Sequence, residues 1–228
     1  MHVTIRKFLP SDREAVSKVY RDGIHEHIIP LFTWAISQPF HISLTMCMFV
    51  MGYMLSGGSV GLALLAAVSW ISLVFYCCYE FFAGYVRTRL HTDMQDIAGF
   101  YLSNPDNCFW VAEAEVNGRP QIMGLVALKA KKLPGTNGQK YGELFRMIVS
   151  SECRRAGLGL RLGNTVEDFC KERGFSKVVL ETTSIQRAGV ALYEKMGFRL
   201  VQTHTRTEGP WWVFRLTRCT ILRMEKGL

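Results

Sequence analysis

The 228-residue chain is 49% apolar and 20% charged, a composition that excludes an intrinsically disordered protein. Residues 28–79 form a stretch of 52 residues that contains no Asp, Glu, Lys or Arg. We therefore expect neither a wholly soluble globule nor a transporter with many spans. The net charge of +8 favours anionic partners, but the sequence has no long basic run and no zinc-finger spacing, so we expect no nucleic acid among them.

Seven cysteines occur in the chain, an odd number, and no two of them form a Cys-x-x-Cys pair. This usage favours free thiols over a disulfide framework, and it predicts no metal site. Free thiols persist in a reducing compartment, so we expect the charged part of the chain to lie in the cytosol.

The first third of the chain predicts a soluble start followed by a membrane segment. Residues 3–8 alternate like a strand, and a helix opens after Pro10-Ser11-Asp12. Val60–Tyr79 has 20 apolar or small residues, about the length of a helix that crosses a bilayer. Phe40–Leu55 has only 16, so it either spans with help from the apolar residues before it or re-enters the membrane. We expect two membrane-inserted helices, joined by a turn at Ser56–Ser59.

From residue 86 onward the pattern becomes that of a soluble α/β domain. It predicts helices over Leu90–Leu102, Gly157–Arg173 and Arg187–Met196. It predicts strands over Phe109–Val116, Ile122–Ala130, Leu144–Val149, Lys177–Thr183, Phe198–His204, Trp211–Leu216 and Ile221–Met224. Asn117-Gly118 predicts a hairpin turn and Leu133–Gln139 a loop. The expected organisation is 1–27 for the first strand and helix, 28–85 for the membrane insert and 86–228 for the remainder.

The most informative stretch joins an apolar strand to the segment Arg154-Arg155-Ala156-Gly157-Leu158-Gly159. Backbone N–H groups at such a turn, with the helix N-terminus behind them, form an anion site. The two glycines allow the backbone to approach the anion closely, and the two arginines add positive charge. Arg-x-x-Gly-x-Gly also occurs by chance at a helix start, but its position directly after a buried strand favours phosphate binding.

A second segment, Leu192-Tyr193-Glu194-Lys195-Met196-Gly197-Phe198, ends a helix and begins a strand. Together the two segments resemble the GNAT superfamily of acyl-CoA N-acyltransferases, over roughly residues 3–27 and 86–216. The resemblance implies a mixed α/β sheet flanked by helices, here with an inserted two-helix membrane hairpin. It also implies that acetyl-CoA is the co-substrate, that residues 154–159 cradle its pyrophosphate and that Tyr193 lies near its sulfur.

The hairpin between the first two helices narrows the resemblance. The chain is similar to the camello-like N-acetyltransferases in this hairpin and in four further segments, Thr92-Asp93-Met94, Asn107–Glu113, Glu143–Met147 and Val179–Thr183. That branch includes cysteine S-conjugate N-acetyltransferases of the endoplasmic reticulum and a membrane-bound aspartate N-acetyltransferase. Two positions depart from the superfamily pattern, Gln186 where Asn is frequent and Gly189 where Ala is frequent. Neither departure removes a group that the chemistry needs.

Charge placement predicts the orientation of the insert. Arg13, Lys18 and Arg21 precede it and Arg87 and Arg89 follow it, whereas the connecting turn has no basic residue. The positive-inside rule places both flanks in the cytosol. With the resemblance, we expect a protein of the endoplasmic reticulum membrane whose catalytic domain faces the cytosol.

Acetyl transfer to an amine requires a polarised thioester carbonyl, an acid for the departing thiolate and a neutral amine. A backbone N–H at Ile148 or Val149 could hold the carbonyl oxygen, and Tyr193 could protonate the sulfur or serve only in helix packing. Glu143 and Glu181 are the candidate bases, and either could instead be a salt-bridged residue at the rim.

The acceptor can be weighed from ordinary pKa values. An α-amine, with a pKa near 7.7–8.0, is partly neutral at pH 7, whereas a lysine, with a pKa near 10.4, is almost wholly charged. Arg146 lies in an otherwise apolar strand, where it could bind the α-carboxylate of a substrate or pair with Glu181 or Glu143. We expect a small-molecule amine acceptor, with cysteine S-conjugates favoured over aspartate. A protein lysine acetyltransferase and a non-enzymatic acyl-CoA-binding scaffold are the alternatives, and the oligomeric state stays open.

Overall fold

The computed structural model describes residues 3–116, 118–132, 139–205 and 210–228. The predicted hairpin turn includes Asn117, and the predicted loop over Leu133–Gln139 includes residues 133–138; these residues lie outside the described ranges. The chain divides into two compact units. The first comprises residues 1–24, 86–204 and 220–228, and the second comprises residues 25–85 and 205–219.

The described residues of the first unit form one mixed sheet of seven strands in the order β1-β2-β3-β4-β5-β7-β6. The strands are β1 (Val3–Lys7), β2 (Cys108–Val116), β3 (Arg119–Lys132), β4 (Lys140–Val149), β5 (Lys177–Thr183), β6 (Arg199–His204) and β7 (Ile221–Gly227). The helices of the chain are α1 (Arg13–His25), α2 (Ile28–Ile36), α3 (Pro39–Leu55), α4 (Val60–Leu90), α5 (Leu158–Glu172), α6 (Arg187–Lys195) and α7 (Trp211–Thr217). Neighbouring strands run antiparallel except β4 and β5, which run parallel. The predicted mixed sheet flanked by helices is confirmed.

The two parallel strands separate halfway along their length. β4 and β5 pair only from Gly142↔Val178 to Leu144↔Leu180. Beyond that point β4 continues to pair with β3 as far as Val149, and β5 continues to pair with β7 as far as Thr183. A gap therefore opens in the middle of the sheet, and the backbone groups of β4 that face it pair with no other strand among the described residues.

Helices cover both faces of the sheet. On one face, α5 and α6 pack on an apolar core in which Leu162 of α5 and Leu180 of β5 are almost fully buried. A Cβ atom at Gly142 of β4 would lie 3.0 Å from the Cys170 sulfur of α5, so this contact is tight. On the other face, α1 approaches β4 so closely that a Cβ atom at Gly23 would lie 2.4 Å from Cγ2 of Ile148.

The second unit consists of α2, α3, most of α4, and α7. α4 is long and apolar enough to cross a membrane, and α3 meets the same test only together with the helical run that ends at Ile36, which is bent from it by 70°. Many large apolar side chains of α3 and α4 are exposed, among them Met46, Met54, Leu55, Leu62 and Leu65. α3 and α4 pack closely, because a Cβ atom at Gly52 would lie 3.0 Å from Cα of Ala63.

Two predicted elements are wrong. The helix predicted over Leu90–Leu102 is replaced by the end of α4, a series of turns and a π-helical turn over Ala98–Leu102. The strand predicted over Trp211–Leu216 is the helix α7, in which Val213 and Thr217, four residues apart, are both buried. A six-residue run with five apolar residues and Arg215 fits either period, and here the packing selects the helix.

Candidate active site

The gap between β4 and β5 begins at a β-bulge centred on Arg146. Leu125 pairs with Ile148 and Ala127 with Phe145, so two residues of β4 lie opposite one residue of β3. Arg146 has a φ of 54°, in the left-handed region that a non-glycine residue rarely adopts. Bulges change the direction of a strand and the side chains it presents. This bulge turns the Arg146 side chain toward the face of the sheet that α1 covers.

A buried ion pair holds the bulge. Nε of Arg146 donates to Oδ2 of Asp93 at 2.9 Å, and Nη2 donates to Oδ1 at 2.9 Å. The hydroxyl of Tyr101 donates to Oδ2 of the same carboxylate at 2.5 Å. The side chains of Arg146 and Asp93 are only 5% and 4% exposed. Removing one partner of a buried pair typically costs about 3–5 kcal/mol, because it leaves the other charge uncompensated, so loss of either residue alone would disturb this conformation of β4.

The acid that pairs with Arg146 is Asp93, and not Glu143 or Glu181, the two acids that the sequence suggests. Glu143 pairs instead with Lys131, and Glu181 pairs with Arg223 and with His204. The charge of Arg146 is therefore compensated within the protein, and no substrate carboxylate is needed to balance it.

The segment after β4 contains the turn for which the sequence predicts anion binding. A short 3₁₀ turn over Ser151–Cys153 leads to Arg154, whose Nε and Nη2 each donate to the carbonyl of Val149 at 3.1 Å. Arg155 is exposed and has a φ of 62°. Arg154 thus fastens the turn to the end of β4, and Arg155 presents its charge to solvent.

Gly157 opens α5 in the left-handed conformation. Its φ is 78°, and a Cβ atom at this position would meet nothing within 4 Å, so the space above the turn is open. The first amide of α5 that bonds to a carbonyl of the turn is that of Arg161, which donates to Gly157 at 3.1 Å. The amides of Ala156, Leu158 and Gly159 precede it, as the first N–H groups of a helix do, and point to no helical acceptor. These residues fit the pyrophosphate of acetyl-CoA, because free N–H groups and the helix dipole both favour an anion there.

The structure distinguishes the two candidate amides on β4. The amide of Ser150 donates to the carbonyl of Met123 on β3 at 2.8 Å. Because the direction of N–H groups alternates along a strand, the Ile148 amide points to β3 as well, and the Val149 amide points into the gap toward β5. Val149 is therefore the residue whose N–H can hold a carbonyl oxygen placed between the strands.

Tyr193 lies on α6 among the core residues that α5 and α6 share. Its side chain is 8% exposed, and its ring meets Phe198 edge to face at 5.9 Å between centroids. Burial raises the pKa of Tyr193 above its ordinary value, so the phenol stays protonated and can act as an acid. Within the described part of the chain its hydroxyl makes no hydrogen bond, which leaves it free to donate to a ligand.

The two candidate bases differ in their surroundings. Glu143 is 12% exposed and pairs tightly with Lys131 across β3 and β4. Glu181 is 41% exposed, lies one residue beyond the last β4–β5 pair, and meets Arg223 and His204 only at 3.5 Å. Of the two carboxylates, that of Glu181 is the more accessible and lies at the gap.

This fold and this turn define a class of protein. Residues 75–198, more than half of the chain, match the profile of the family described as Acetyltransferase (GNAT) family. The chain belongs to the GNAT acetyltransferases, and it is an acetyl-CoA-dependent N-acetyltransferase.

Its relatives are camello-like N-acetyltransferases. N-acetyltransferase family 8 member 3 of Mus musculus is 37% identical over 195 residues, which cover 86% of this chain and 84% of that protein. Probable N-acetyltransferase camello of Xenopus tropicalis is 34% identical over 198 residues, or 87% and 86% of the two chains. The crystal structure of Arabidopsis thaliana NAA60 in complex with a bisubstrate analogue aligns with a TM-score of 0.57 over 100% of this chain and 99% of that one. At 14% identity, that likeness concerns the fold alone.

Sequence reasoning missed four residues of the site. Asp93 and Tyr101 are far from Arg146 in sequence, and His204 and Arg223 lie on strands that reach Glu181 only through the sheet order. One signal was available for Asp93. A lone arginine in an apolar strand requires a buried acid, and Asp93 lies between the apolar helix α4 and another apolar segment.

Proposed function

We propose that the protein is a membrane-anchored enzyme that transfers acetyl from acetyl-CoA to the α-amine of an amino-acid-type acceptor, most favourably a cysteine S-conjugate. The observation that carries this proposal is the gap between β4 and β5, which has the Val149 amide on one edge and Glu181 on the other. Acetyl-CoA supplies the acetyl group as an activated thioester.

Each residue of the site has one role in the proposed reaction. The 154–159 turn binds the pyrophosphate, and the Val149 amide holds the thioester oxygen. Glu181 accepts the proton that the amine loses as its nitrogen bonds to the carbonyl carbon. Tyr193 gives its proton to the sulfur as the carbon–sulfur bond breaks. The products are the N-acetyl acceptor and the CoA thiol, and exchange with water restores Tyr193 and Glu181.

The charge around Glu181 favours an acceptor that carries a carboxylate. Arg223 lies directly opposite Glu181 on β7 and is 30% exposed, so its guanidinium is accessible on the same face. We assign the acceptor carboxylate to Arg223 rather than to Arg146. Arg146 donates to Asp93 at 2.9 Å, and its side chain is 5% exposed. Arg223 meets Glu181 and Glu225 only at 3.5 and 3.6 Å, and its side chain is 30% exposed.

The uncharged helices support the membrane part of the proposal. α4 passes the length and hydropathy requirement for a span, and its neighbour α3 exposes apolar side chains along its length. The basic residues Arg87 and Arg89 lie at the end of α4 away from the turn at Ser56–Ser59, which favours a cytosolic catalytic side. We propose the endoplasmic reticulum as the membrane, in keeping with the resemblance to the camello-like enzymes. An acceptor with an apolar S-substituent would concentrate at such a surface.

The test is a comparison of acceptors by release of the CoA thiol. Detergent-solubilised protein receives acetyl-CoA with an S-alkyl cysteine, its carboxamide, aspartate or a lysine peptide. The expected order places the S-alkyl cysteine first, with the carboxamide roughly ten- to a hundredfold poorer, because a charge-assisted pair contributes about 1.5–3 kcal/mol. Equal use of the acid and the amide would remove the carboxylate requirement, and preference for the peptide would favour a protein lysine acetyltransferase.

Two variants on β7 locate the carboxylate contact. Arg223→Gln should lose most of the discrimination between acid and amide. Lys226→Gln removes the same charge from the same strand on the other face, where Lys226 pairs with Glu167 at 2.7 Å, and should keep the discrimination. Unchanged discrimination in Arg223→Gln would contradict the assignment of the carboxylate to Arg223.

A further inference from the structure

Helix α7 presents an outward face that the acetyltransferase chemistry does not use. Trp211 is 74% exposed and Trp212 is 38% exposed, values that are unusual for tryptophan. Arg215 is exposed as well and lies four residues after Trp211, on the same side of the helix. Arg218 is also exposed, and it follows the helix in the left-handed conformation, with a φ of 51°. Residues 210–219 contain no acidic residue.

The opposite face of α7 is fixed to the apolar helices. Nε2–H of His41 donates to the carbonyl of Leu216 at 2.9 Å, and His41 is fully buried. The ring of Phe214 meets that of Phe81 edge to face at 5.1 Å between centroids. Val213 is 1% exposed and packs inward. The exposed tryptophans are thus held in place by their own helix and are not part of a loose tail.

These contacts place α7 at the charged end of the apolar hairpin. His41 lies in the first turn of α3, and Phe81 lies one residue after Glu80, the first charged residue of α4. From Val60 to Phe81, α4 rises about 32 Å at about 1.5 Å per residue. That length matches the hydrocarbon thickness of a bilayer, about 30 Å. If the turn at Ser56–Ser59 lies at one membrane surface, Phe214 of α7 lies at the other. Leu216 lies somewhat deeper, because its partner His41 also stacks on Trp70 of α4, at 5.7 Å between ring centroids.

Other elements near α7, at the charged end of the hairpin, also have features that fit a membrane interface. α7 packs on α2, and the helical run Pro10–Ile36, which includes α2, is bent by 70° from α3, so α2 does not continue the direction of α3. Phe40, in the first turn of α3, and Tyr76 and Tyr79, within five residues of Phe81 in α4, are 50%, 52% and 41% exposed. Aromatic side chains concentrate at the headgroup level of membrane proteins, and arginine there reaches the phosphates.

We propose that α7 lies in the headgroup layer of the membrane, with Trp211 and Trp212 among the lipid glycerol groups and Arg215 and Arg218 on lipid phosphates. The chemistry of this face, aromatic and basic without acid, fits a phospholipid surface better than a protein groove. The inference rests on the proposed membrane anchoring and adds a third contact to the two helices of the hairpin.

The experiment uses the full chain reconstituted in phosphatidylcholine vesicles and reads tryptophan emission. The parent is compared with W211F/W212F and with W70F, so that difference spectra isolate α7 and the middle of α4. Brominated lipids quench from a shallow or a deep position in the bilayer, and acrylamide quenches from water. The α7 emission should be quenched most by shallow bromines, and the Trp70 emission most by deep bromines.

Three other outcomes would contradict the inference, and the third of them would also contradict the proposed anchoring. Quenching of the α7 emission by acrylamide but by neither lipid places the helix in water and overturns the inference. Protection from all three quenchers means that a protein surface, including a second copy of the chain, covers α7, and this also overturns it. If Trp70 also escapes both lipids, the hairpin itself is outside the membrane, and the proposed anchoring fails as well. Phenylalanine at exposed positions 211 and 212 should not disturb folding, and acetyl transfer by the variant verifies this.

Discussion

Only the proposed catalytic role of Tyr193 needs its hydroxyl oxygen, so removal of this atom separates catalysis from packing. The ring packs on Phe198 whether or not it carries the hydroxyl, so Tyr193→Phe should unfold at nearly the parent temperature. The hydroxyl makes no hydrogen bond to the described residues, so its removal leaves no buried donor unsatisfied. We expect kcat to fall on the order of 10²–10⁴-fold while the Kd for acetyl-CoA stays near that of the parent. Steady-state kinetics and calorimetry provide the two readouts, and a kcat within twofold of the parent would assign Tyr193 to packing.

The pair between Arg146 and Asp93 offers a test that separates stability from positioning. Asp93→Leu alone leaves a buried guanidinium without its acid and should lower the free energy of unfolding by about 3–5 kcal/mol. Arg146→Met alone should be destabilising for the converse reason. The double variant replaces both charges with apolar side chains, so much of the lost stability should return.

Activity should not return with stability in that double variant. If the ion pair holds the β4 bulge, its loss displaces the Val149 amide, and a displacement of about 1 Å can lower kcat on the order of 10²-fold. Denaturant unfolding and thiol release measure the two quantities. A stable double variant with the kcat of the parent would show that the pair serves folding alone.

At the scale of elements, the start of α5 is the part of the site that can be changed most cleanly. Gly157→Gln places a side chain in the open space above the turn, where the pyrophosphate would bind. Gly174 provides the matched control, because it lies just past the C-terminus of α5, has a φ of 66° against 78°, and likewise has no atom within 4 Å of its Cβ position. Both substitutions carry the same left-handed strain, about 1–2 kcal/mol.

We expect Gly157→Gln to weaken acetyl-CoA binding roughly tenfold or more, through lost charge-assisted hydrogen bonds, and Gly174→Gln to leave it unchanged. Calorimetric titration with acetyl-CoA measures both. An equal loss in the two variants would mean that strain in α5, and not the blocked turn, is responsible. An equal affinity in parent and Gly157→Gln would place the pyrophosphate elsewhere.

Local patterns predict most elements of this fold, because each strand and helix has its own period. The strand over Lys177–Thr183 is correct to the residue, and the helix predicted over Arg187–Met196 ends one residue later than the observed one. α7 was misassigned, because its burial depends on His41 and Phe81 of distant helices. The residues of the site likewise fall into two groups, those that the local sequence predicts and those that only the tertiary structure brings together. The turn at 154–159 is local and readable, whereas the ion pair joins residues 53 positions apart and depends on the bulge in β4.

At the scale of the whole molecule, the open question is whether the hairpin crosses the bilayer. The 17 residues of α3 rise about 26 Å, and the 20 uncharged residues of α4 rise about 30 Å. The bilayer of the endoplasmic reticulum has a hydrocarbon thickness of about 27 Å. The uncharged part of α4 is therefore long enough, and α3 is shorter than the bilayer by only about 1 Å, so we expect the turn at Ser56–Ser59 to reach the lumen.

A glycosylation acceptor on a flexible linker tests this at Gly57, whose φ is 67° and whose Cβ position has no neighbour within 4 Å. The same insertion at Gly174, on the surface of the catalytic unit, is the control. In microsomes, the insertion at Gly57 should be glycosylated and the one at Gly174 should not, since the positive-inside rule applied to Arg87 and Arg89 predicts a cytosolic position for that unit. Absence of glycan at both sites, in protein that still transfers acetyl, would indicate a re-entrant hairpin. Glycan at Gly174 would invert the orientation and place acetyl transfer in the lumen.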